Sequence, residues 1–253
     1  MQFQVDEAWL LTLLLASTRI LAWSLVAPPM ATGGVPRTVK VLLSVGLGLA
    51  VVPLAQSHVP TPEVAPVAGA LLEQVIIGAA LGFLTRMVFA AVESAGALLD
   101  LFGGFALSAA YDPLSTTTTS IFGRFYGLLC TTLIFATDAH LVIFQGFLRT
   151  FTAVPLDGHL SMGHLDATIA HGTTALFVAA LQIAGPLLVV LFVADMALGV
   201  LNRISPQLNA FAMSFPLKIG LTLLLAGLGF TLMPRMVTEL AGHATELVTS
   251  VTG

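Results

Sequence analysis

Three histidines and two carboxylates lie close together between two apolar segments of this 253-residue chain. They are Asp157, His159, His164, Asp166 and His171. Imidazole nitrogens and carboxylate oxygens are common zinc ligands, so this stretch raises the hypothesis of a metal site. The spacings match neither HExxH nor another recognised ligand pattern, and a polar loop leading into a helix explains the residues as well. We expect no metal and no cofactor, and the role of these five residues stays open.

His140 lies two residues after Asp138, so the two side chains could form a local pair at a helix end. A catalytic dyad would also need an activated nucleophile, and the sequence contains no GxSxG elbow. It contains neither a GxxxxGK[ST] loop nor a GxGxxG run after a strand, the usual nucleotide-binding patterns. We therefore expect a protein that is not an enzyme.

A stripe of polar and small residues follows the third apolar segment. At about 100° per residue, a helix places them on one broad face, apart from most of the large apolar side chains. They are Gly82, Arg86, Glu93, Gly96, Asp100, Gly103 and Gly104, and Gly78 extends the pattern. Small residues let membrane helices approach closely, and polar groups can bond across the contact. The stripe favours a packing face between helices or subunits, and direct lining of a conduit is the alternative.

Asp195, Gly199 and Arg203 recur at intervals of four residues near the end of the fifth segment. This spacing places them along one side of a helix, where they suit a packing contact. A proton relay through Asp195 is the alternative, but no acid or histidine at helical spacing supplies a relay partner. Arg19 is isolated in the first segment, and any of several acids could pair with it.

A hydroxyl-rich run, 115–120, follows Asp112 and Pro113 and is flanked by apolar sequence. Proline disfavours helical geometry at the preceding residue, so a helix ends here. Irregular backbone at membrane depth is tolerated only against protein or a water-filled cavity. The residues alone favour a plain turn outside the membrane over a structure inserted in a pore.

The residues described above lie in or beside long apolar segments. Of the whole chain, 57% of the residues are hydrophobic and 9% are charged. Soluble domains carry about 25% charged residues. The composition therefore predicts an all-α membrane protein in contact with lipid, and the lack of a Lys/Arg patch argues against a nucleic-acid partner. At about 20 apolar residues per span, we predict about six segments at 8–30, 38–56, 67–109, 121–150, 168–201 and 210–233. The third could be a span with an extension or a broken pair.

Lys and Arg in the connections indicate orientation, since they are retained on the cytoplasmic side. Arg37 and Lys40 place the first connection inside. The connections 59–66 and 154–168 contain acids but no Lys or Arg, which places both outside. Arg203 and Lys218 favour a cytoplasmic turn before the last segment, which leaves both termini outside with an even number of crossings.

In its ordered motifs, the chain resembles the FliR family, including the virulence-system homologues. The most specific similarity runs from Asp195 to Phe211 and continues at Pro216 and Lys218, like the family's D-x3-G-x3-R-x2-PQ-x-N-x-F block and following proline. Further similarities occur in family order at Arg19, Pro28, 35–37, Lys40, Gly78, Gly82, 93–96, Gly103, 112–113, Asp138, His140, Pro155 and Pro186. The resemblance covers residues 10–233, with two departures: Ala139 replaces the usual glycine before His140, and the first connection reads Ala-Thr-Gly-Gly-Val-Pro.

The resemblance implies a core subunit of the type III protein export gate, in the flagellar system, that helps form and seal the channel for unfolded flagellar proteins. It implies residence in the bacterial inner membrane within the flagellar basal body. Its implied partners are FliP-like and FliQ-like gate subunits, FlhB-like and FlhA-like export proteins, and the exported substrates.

The same resemblance implies one membrane unit over 1–253, with a FliP-like portion at 1–165 and a FliQ-like C-terminal hairpin at 166–253. An injectisome gate subunit is an alternative. So is a self-contained secondary transporter of a small solute, with Glu93, Asp100 or Asp195 as coupling carboxylates near broken helices.

Two sets of residues receive roles from the resemblance. It implies a plug loop in the closed pore, which reverses the preference for a plain turn. The loop residues are Tyr111, Asp112, Pro113, Leu114, Ser115, Thr116, Thr117, Thr118, Thr119 and Ser120. The polar residues become packing surfaces against neighbouring gate subunits. They are Arg86, Glu93, Gly96, Asp100, Gly103, Gly104, Asp195, Gly199, Arg203, Pro206, Gln207, Asn209 and Lys218.

Overall fold

Every regular element that the structure describes is a helix. The structure is a computed structural model and describes residues 7–31, 34–55, 63–105, 120–157, 162–205 and 210–250. Its helices are α1 Glu7–Val26, α2 Arg37–Ala55, α3 Val64–Phe102, α4 Ile121–Ala136, α5 Ala139–Ala153, α6 Met162–Ile204, α7 Ala210–Gly229 and α8 Met233–Ser250. The predicted all-α class is confirmed.

Four of the described helices are long and apolar enough to cross a membrane, namely α1, α2, α3 and the Leu165–Ile204 part of α6. A fifth span is possible if α4 and α5 are counted as one, although the pair bends by 81°. The apolar part of α7, Met213–Gly227, is shorter. Length and composition therefore agree with the predicted membrane residence.

α3 is continuous over 39 residues. At about 1.5 Å per residue it is roughly 60 Å long, about twice the ~30 Å hydrocarbon thickness of a bilayer. The prediction of a span with an extension therefore describes the third segment, and the broken pair does not.

The fourth predicted segment, 121–150, is two helices rather than one. The helix is interrupted at Thr137 and Asp138. Asp138 adopts φ 56°, in the left-handed region that Asp tolerates better than most residues. The Asp138 carbonyl accepts the N–H of Leu141 at 2.9 Å, which starts α5. Nδ1 of His140 lies 3.3 Å from the Ile134 carbonyl oxygen, so its polar contact is with α4 and not with Asp138. The single-segment prediction is wrong because neither proline nor glycine marks this break.

α8 is a further helix, absent from the six predicted segments. Its buried side chains recur at helical spacing at Met233, Val237, Leu240, Ala241, Ala244 and Val248. Exposed polar residues such as His243 and Glu246 occupy the rest of its surface. A search for long apolar runs misses this helix, because its signal is the 3.6-residue period of an amphipathic surface helix.

The chain divides into two compact units. The first contains Met1–Val88, Ile134–Thr173 and Glu239–Gly253, and the second contains Phe89–Leu133 and Thr174–Thr238. This division is defined by contacts within the chain. The implied FliP-like and FliQ-like portions are defined by similarity to other subunits and stay a prediction.

In the first unit, two glycines of α3 let the backbone of α1 approach. A Cβ at Gly78 would meet the Arg19 carbonyl oxygen, and a Cβ at Gly82 would lie 2.9 Å from the Trp23 carbonyl oxygen. Trp23 is fully buried and stacks on Phe147 of α5, with ring centroids 4.5 Å apart. The small-residue pair therefore brings α1 close enough to α3 for Trp23 to reach the centre of this unit.

Candidate functional site

A buried arginine joins three helices of the first unit. Arg19 of α1 has no exposed surface, and its Nε donates to Oε1 of Gln74 on α3 at 2.5 Å. Its guanidinium nitrogens donate to backbone carbonyls after the end of α5, at Val154 (2.8 Å) and Pro155 (3.2 Å). The ring of Phe151 lies beneath the guanidinium, 4.5 Å from the Cζ atom to the ring centroid.

The guanidinium thus donates hydrogen bonds to carbonyls at the end of α5, where a helix leaves carbonyl groups without partners. The planar guanidinium has five N–H donors in a fixed arrangement, which a single ammonium group cannot reproduce. Gln74 is also buried, and its amide donates to the Leu156 carbonyl at 3.0 Å. The sequence left any of several acids as a partner for Arg19. The hydrogen bonds, however, go to an amide and to backbone carbonyls.

A buried carboxylate performs the complementary task in the second unit. Asp100 of α3 is 5% exposed, and its Oδ2 accepts the N–H of Phe122 at 2.9 Å and that of Gly123 at 3.4 Å. The hydroxyl of Ser120 donates to the same oxygen. The first N–H groups of a helix have no partner within the helix. Asp100 therefore caps the start of α4 from a neighbouring helix, with charge suited to the positive end of the helix dipole.

Asp100 also acts at the end of the predicted plug loop. Ser120 is the last residue of that loop, and its hydroxyl holds the start of α4 by accepting the N–H of Gly123 at 2.9 Å. Phe105, before the loop, lies edge-to-face with Phe122, after it, with ring centroids 5.1 Å apart. The other nine predicted loop residues, 111–119, lie outside the described residues. Phe105 and Phe122, on either side of this part of the chain, are thus in contact.

Close approach of α3 and α4 makes this capping possible. A Cβ at Gly96 would lie 2.5 Å from the Phe122 carbonyl oxygen and 2.7 Å from the Cα of Gly123. A Cβ at Gly103 would lie 2.7 Å from Oγ1 of Thr222 on α7. Gly104 has φ +86°, in the left-handed region that favours glycine, where the helix has ended. The glycines of the stripe therefore pack within the chain itself.

The charged residues of the stripe differ from Asp100 in exposure. Arg86 and Glu93 are both exposed on α3. Gly127 on α4 leaves space for the Glu93 carboxylate, because a Cβ there would be 2.8 Å from Oε1. Arg86 forms no ion pair with a residue that the structure describes. The structure brings Gly96, Asp100 and Gly103 into one buried site and leaves Arg86 and Glu93 at its surface.

The motif in the later part of the chain contains an ion pair that spacing alone did not reveal. Nζ of Lys218 on α7 lies 2.6 Å from Oδ1 of Asp195 on α6. Gly199 and Arg203 are exposed on α6, and a Cβ at Gly199 would have nothing within 4 Å. The other packing residues predicted here, Pro206, Gln207 and Asn209, lie outside the described residues.

The histidine-rich stretch is described only in part. His159 and the side chain of His164 lie outside the described residues, while Asp157, Asp166 and His171 are exposed. Among the residues that the structure describes, no group of three or more potential metal ligands is clustered.

Sequence reasoning missed one residue of these sites, one pairing and one helix cap. Gln74 was overlooked because a single amide in an apolar run carries no motif. The pairing of Lys218 with Asp195 was overlooked because it joins two helices. For Ser120, a signal was present: Ser at the residue before an apolar helix is a preferred N-cap.

Together, apolar helices of spanning length and buried polar groups that tie their ends define an all-α membrane protein. The sequence profile of the bacterial export proteins, family 1, matches residues 10–244. The chain belongs to this family, and its resemblance to FliR proteins is confirmed.

Several named relatives agree with this assignment. The chain is 29% identical over 237 residues to the flagellar biosynthetic protein FliR of Pectobacterium carotovorum subsp. carotovorum, covering 92% of this chain and 89% of the relative. It is 31% identical over 211 residues to FliR of Escherichia coli K12, covering 82% and 80%. It is 27% identical over 148 residues to the surface presentation of antigens protein SpaR of Shigella flexneri, covering 58% and 57%.

Proposed function

We propose that this protein is a core subunit of the flagellar type III protein export gate, where it helps form and seal the channel for unfolded flagellar proteins. The similarity to FliR proteins over most of both chains supports the flagellar system over the injectisome. In this proposal the protein resides in the bacterial inner membrane within the flagellar basal body, and it contributes structure rather than catalysis.

The observation that carries the sealing role is the contact between described residues on either side of the predicted plug loop. Asp100 holds Ser120 and the first turn of α4, and Phe105 packs on Phe122. A loop whose ends are held together can occupy a pore without the flanking helices moving apart. This contact supports a plug formed by residues 111–120.

Uncovered apolar surface supports assembly with other gate subunits. Within the most apolar 18-residue stretch of each helix, 61% of the residues are buried in α3 and only 17% in α6. Gly199 and Arg203 lie exposed on α6, and Arg86 lies exposed on α3. Charged side chains on membrane helices usually face protein or a water-filled cavity rather than lipid. FliP-like, FliQ-like and FlhB-like neighbours, and FlhA-like protein at the gate, are the partners that we propose.

Deletion of residues 115–119 tests the plug directly. We expect the purified assembled gate carrying this deletion to conduct ions in a planar bilayer while the wild-type gate stays closed. A matched control replaces the same five residues with a Gly/Ser sequence of equal length, which separates the loss of volume from the loss of specific side chains. Unchanged conductance of a correctly assembled deletion variant would show that the loop does not seal the channel.

Co-purification tests the assembly. Affinity capture of the full-length chain from bacterial membranes should recover FliP-like and FliQ-like proteins in fixed proportion. Recovery of a monomer alone, together with solute uptake by that monomer in liposomes, would establish the transporter alternative instead. Restoration of motility in a strain lacking its FliR protein distinguishes the flagellar role from an injectisome role.

A further inference from the structure

A groove of about 570 Å³ lies between the beginnings of α1 and α3, within the first unit. Its walls are aliphatic and come from the first turns of both helices. The lining residues are Glu7, Leu10, Leu11, Glu63, Val64, Val67, Ala68 and Leu71. Both helices start at this groove, and both are candidate membrane spans by length and composition.

Two carboxylates occur at the polar end of this groove. Glu7 is in the first turn of α1, and Glu63 immediately precedes α3. Both residues are exposed, and neither forms an ion pair with a residue that the structure describes. Acids at helix N-termini stabilise the helix dipole, which explains each glutamate separately. That explanation does not account for the aliphatic groove that the two carboxylates share.

We propose that the groove binds a phospholipid with a primary-amine headgroup, such as phosphatidylethanolamine. The ammonium group would lie between the Glu7 and Glu63 carboxylates, and the upper part of an acyl chain would lie against Leu10, Val67 and Leu71. An ammonium group offers three hydrogen-bond donors to the carboxylates. A quaternary ammonium headgroup offers the charge without the donors, and an anionic headgroup is repelled.

The type of residue in the groove favours a lipid over a helix of a partner protein. Helix contacts within membranes are enriched in small residues that let backbones approach. This chain uses that device elsewhere, where Gly78 and Gly82 of α3 meet the backbone of α1. The groove wall is mostly Leu and Val, and its rim is exposed, with Val64 at 90% and Leu10 at 52%. A flexible acyl chain fits such an uneven aliphatic wall without requiring close backbone contact.

Lipid competition tests this proposal with the full-length chain and with the assembled complex. Each sample is reconstituted in vesicles containing equal amounts of phosphatidylethanolamine, phosphatidylcholine and phosphatidylglycerol. The lipids retained after mild detergent extraction are then identified by native mass spectrometry. We expect retention in the order phosphatidylethanolamine, phosphatidylcholine, phosphatidylglycerol.

Neutralising the two carboxylates should remove the preference. In the Glu7→Gln/Glu63→Gln variant, we expect the ratio of retained phosphatidylethanolamine to phosphatidylcholine to fall by about 1.5- to 5-fold, the range for loss of an exposed ion pair. Glu246→Gln, an exposed glutamate on α8, is the matched control and should leave the ratio unchanged. Filling the groove with Ala68→Phe should lower retention of the amine lipid without changing the two carboxylates.

Three results would overturn the proposal. The first is equal retention of the three lipids by the wild-type protein, and the second is an unaltered preference in the double variant. The third is efficient cross-linking of Leu10→Cys to a partner subunit in the assembled complex, which would identify a protein helix as the occupant. The readout does not depend on export or on closure of the channel, so it stands or falls separately from the proposed function.

Discussion

The Asp100 carboxylate of α3 accepts the backbone N–H of Phe122, in the first turn of α4, at 2.9 Å. Asp100, 22 positions before Phe122 in the sequence, thus caps the start of α4. Ser120, the residue just before α4, caps only part of this first turn, through the N–H of Gly123.

Removal of this cap should destabilise the protein. In Asp100→Ala, the buried N–H of Phe122 loses its acceptor, which costs about 1–3 kcal/mol in the free energy of unfolding. We expect a lower unfolding midpoint for the purified protein in detergent. Asp100→Asn should recover part of the loss, because its amide oxygen can still accept one of the hydrogen bonds.

Asp166→Ala is the control for loss of a carboxylate, since Asp166 is exposed on α6. Its unfolding midpoint should remain that of the wild type. Equal midpoints for Asp100→Ala and Asp166→Ala would contradict the capping role of Asp100.

The geometry of the Arg19 site predicts that lysine cannot replace this arginine. The Arg19 guanidinium donates at once to Gln74 and to the carbonyls of Val154 and Pro155. A lysine ammonium cannot reach these separate directions, so Arg19→Lys should lower the free energy of unfolding by about 3 kcal/mol. The measurement is the amount of folded protein recovered from membranes, together with its unfolding midpoint.

Arg149→Lys provides the comparison, because Arg149 is exposed on α5 near the same site. It should be recovered at the wild-type level. If Arg19→Lys were recovered equally well, the fixed donor arrangement of the guanidinium would not be required.

Gly96 should tolerate no side chain. A methyl group there would lie 2.5 Å from the Phe122 carbonyl oxygen and 2.7 Å from the Cα of Gly123, and backbone cannot move aside as a flexible side chain can. Overpacking of this kind costs about 1–3 kcal/mol. We expect Gly96→Ala to lower the unfolding midpoint and to weaken the Asp100 cap.

Gly69→Ala is the matched control on the same helix, since a Cβ at Gly69 would meet nothing within 4 Å. Alanine favours a helix over glycine by about 1 kcal/mol, so this variant should be neutral or slightly more stable. A destabilised Gly69→Ala together with an unaffected Gly96→Ala would reverse the packing interpretation.

A substitution at Gly199 can distinguish packing inside the chain from packing between subunits. Nothing lies within 4 Å of a Cβ at Gly199, so Gly199→Leu should leave the stability of the isolated protein unchanged. If this surface contacts a neighbouring gate subunit, as we propose, the bulky side chain should reduce recovery of the assembled complex. The measurement is the ratio of captured FliP-like protein to captured chain.

Gly46→Leu, on α2 and outside the proposed packing surface, should leave that ratio unchanged, since a Cβ at Gly46 also would meet nothing within 4 Å. Equal recovery of partners by both leucine variants would exclude Gly199 from the contact.

The polar stripe on α3 was predicted in part from the sequence. Helical spacing placed Glu93, Gly96 and Asp100 on one face, and the structure brings α4 against that face at Gly96 and Asp100. Spacing along one helix contains no information about the partner, so it did not indicate that Asp100 would bind the backbone of α4. Roles against neighbouring subunits for Arg86, Glu93, Asp195 and Arg203 remain predictions, as does the plug.

By itself, the sequence determined the all-α class, the long apolar segments and the family, because these depend on composition, on periodicity and on the order of local motifs. Only the tertiary structure decided the break at Asp138, the engagement of Arg19 by helix-end carbonyls and the pairing of Lys218 with Asp195. The reason is physical. Buried polar groups must be satisfied by whichever donors or acceptors packing brings within about 3 Å, and packing joins residues that no local pattern relates.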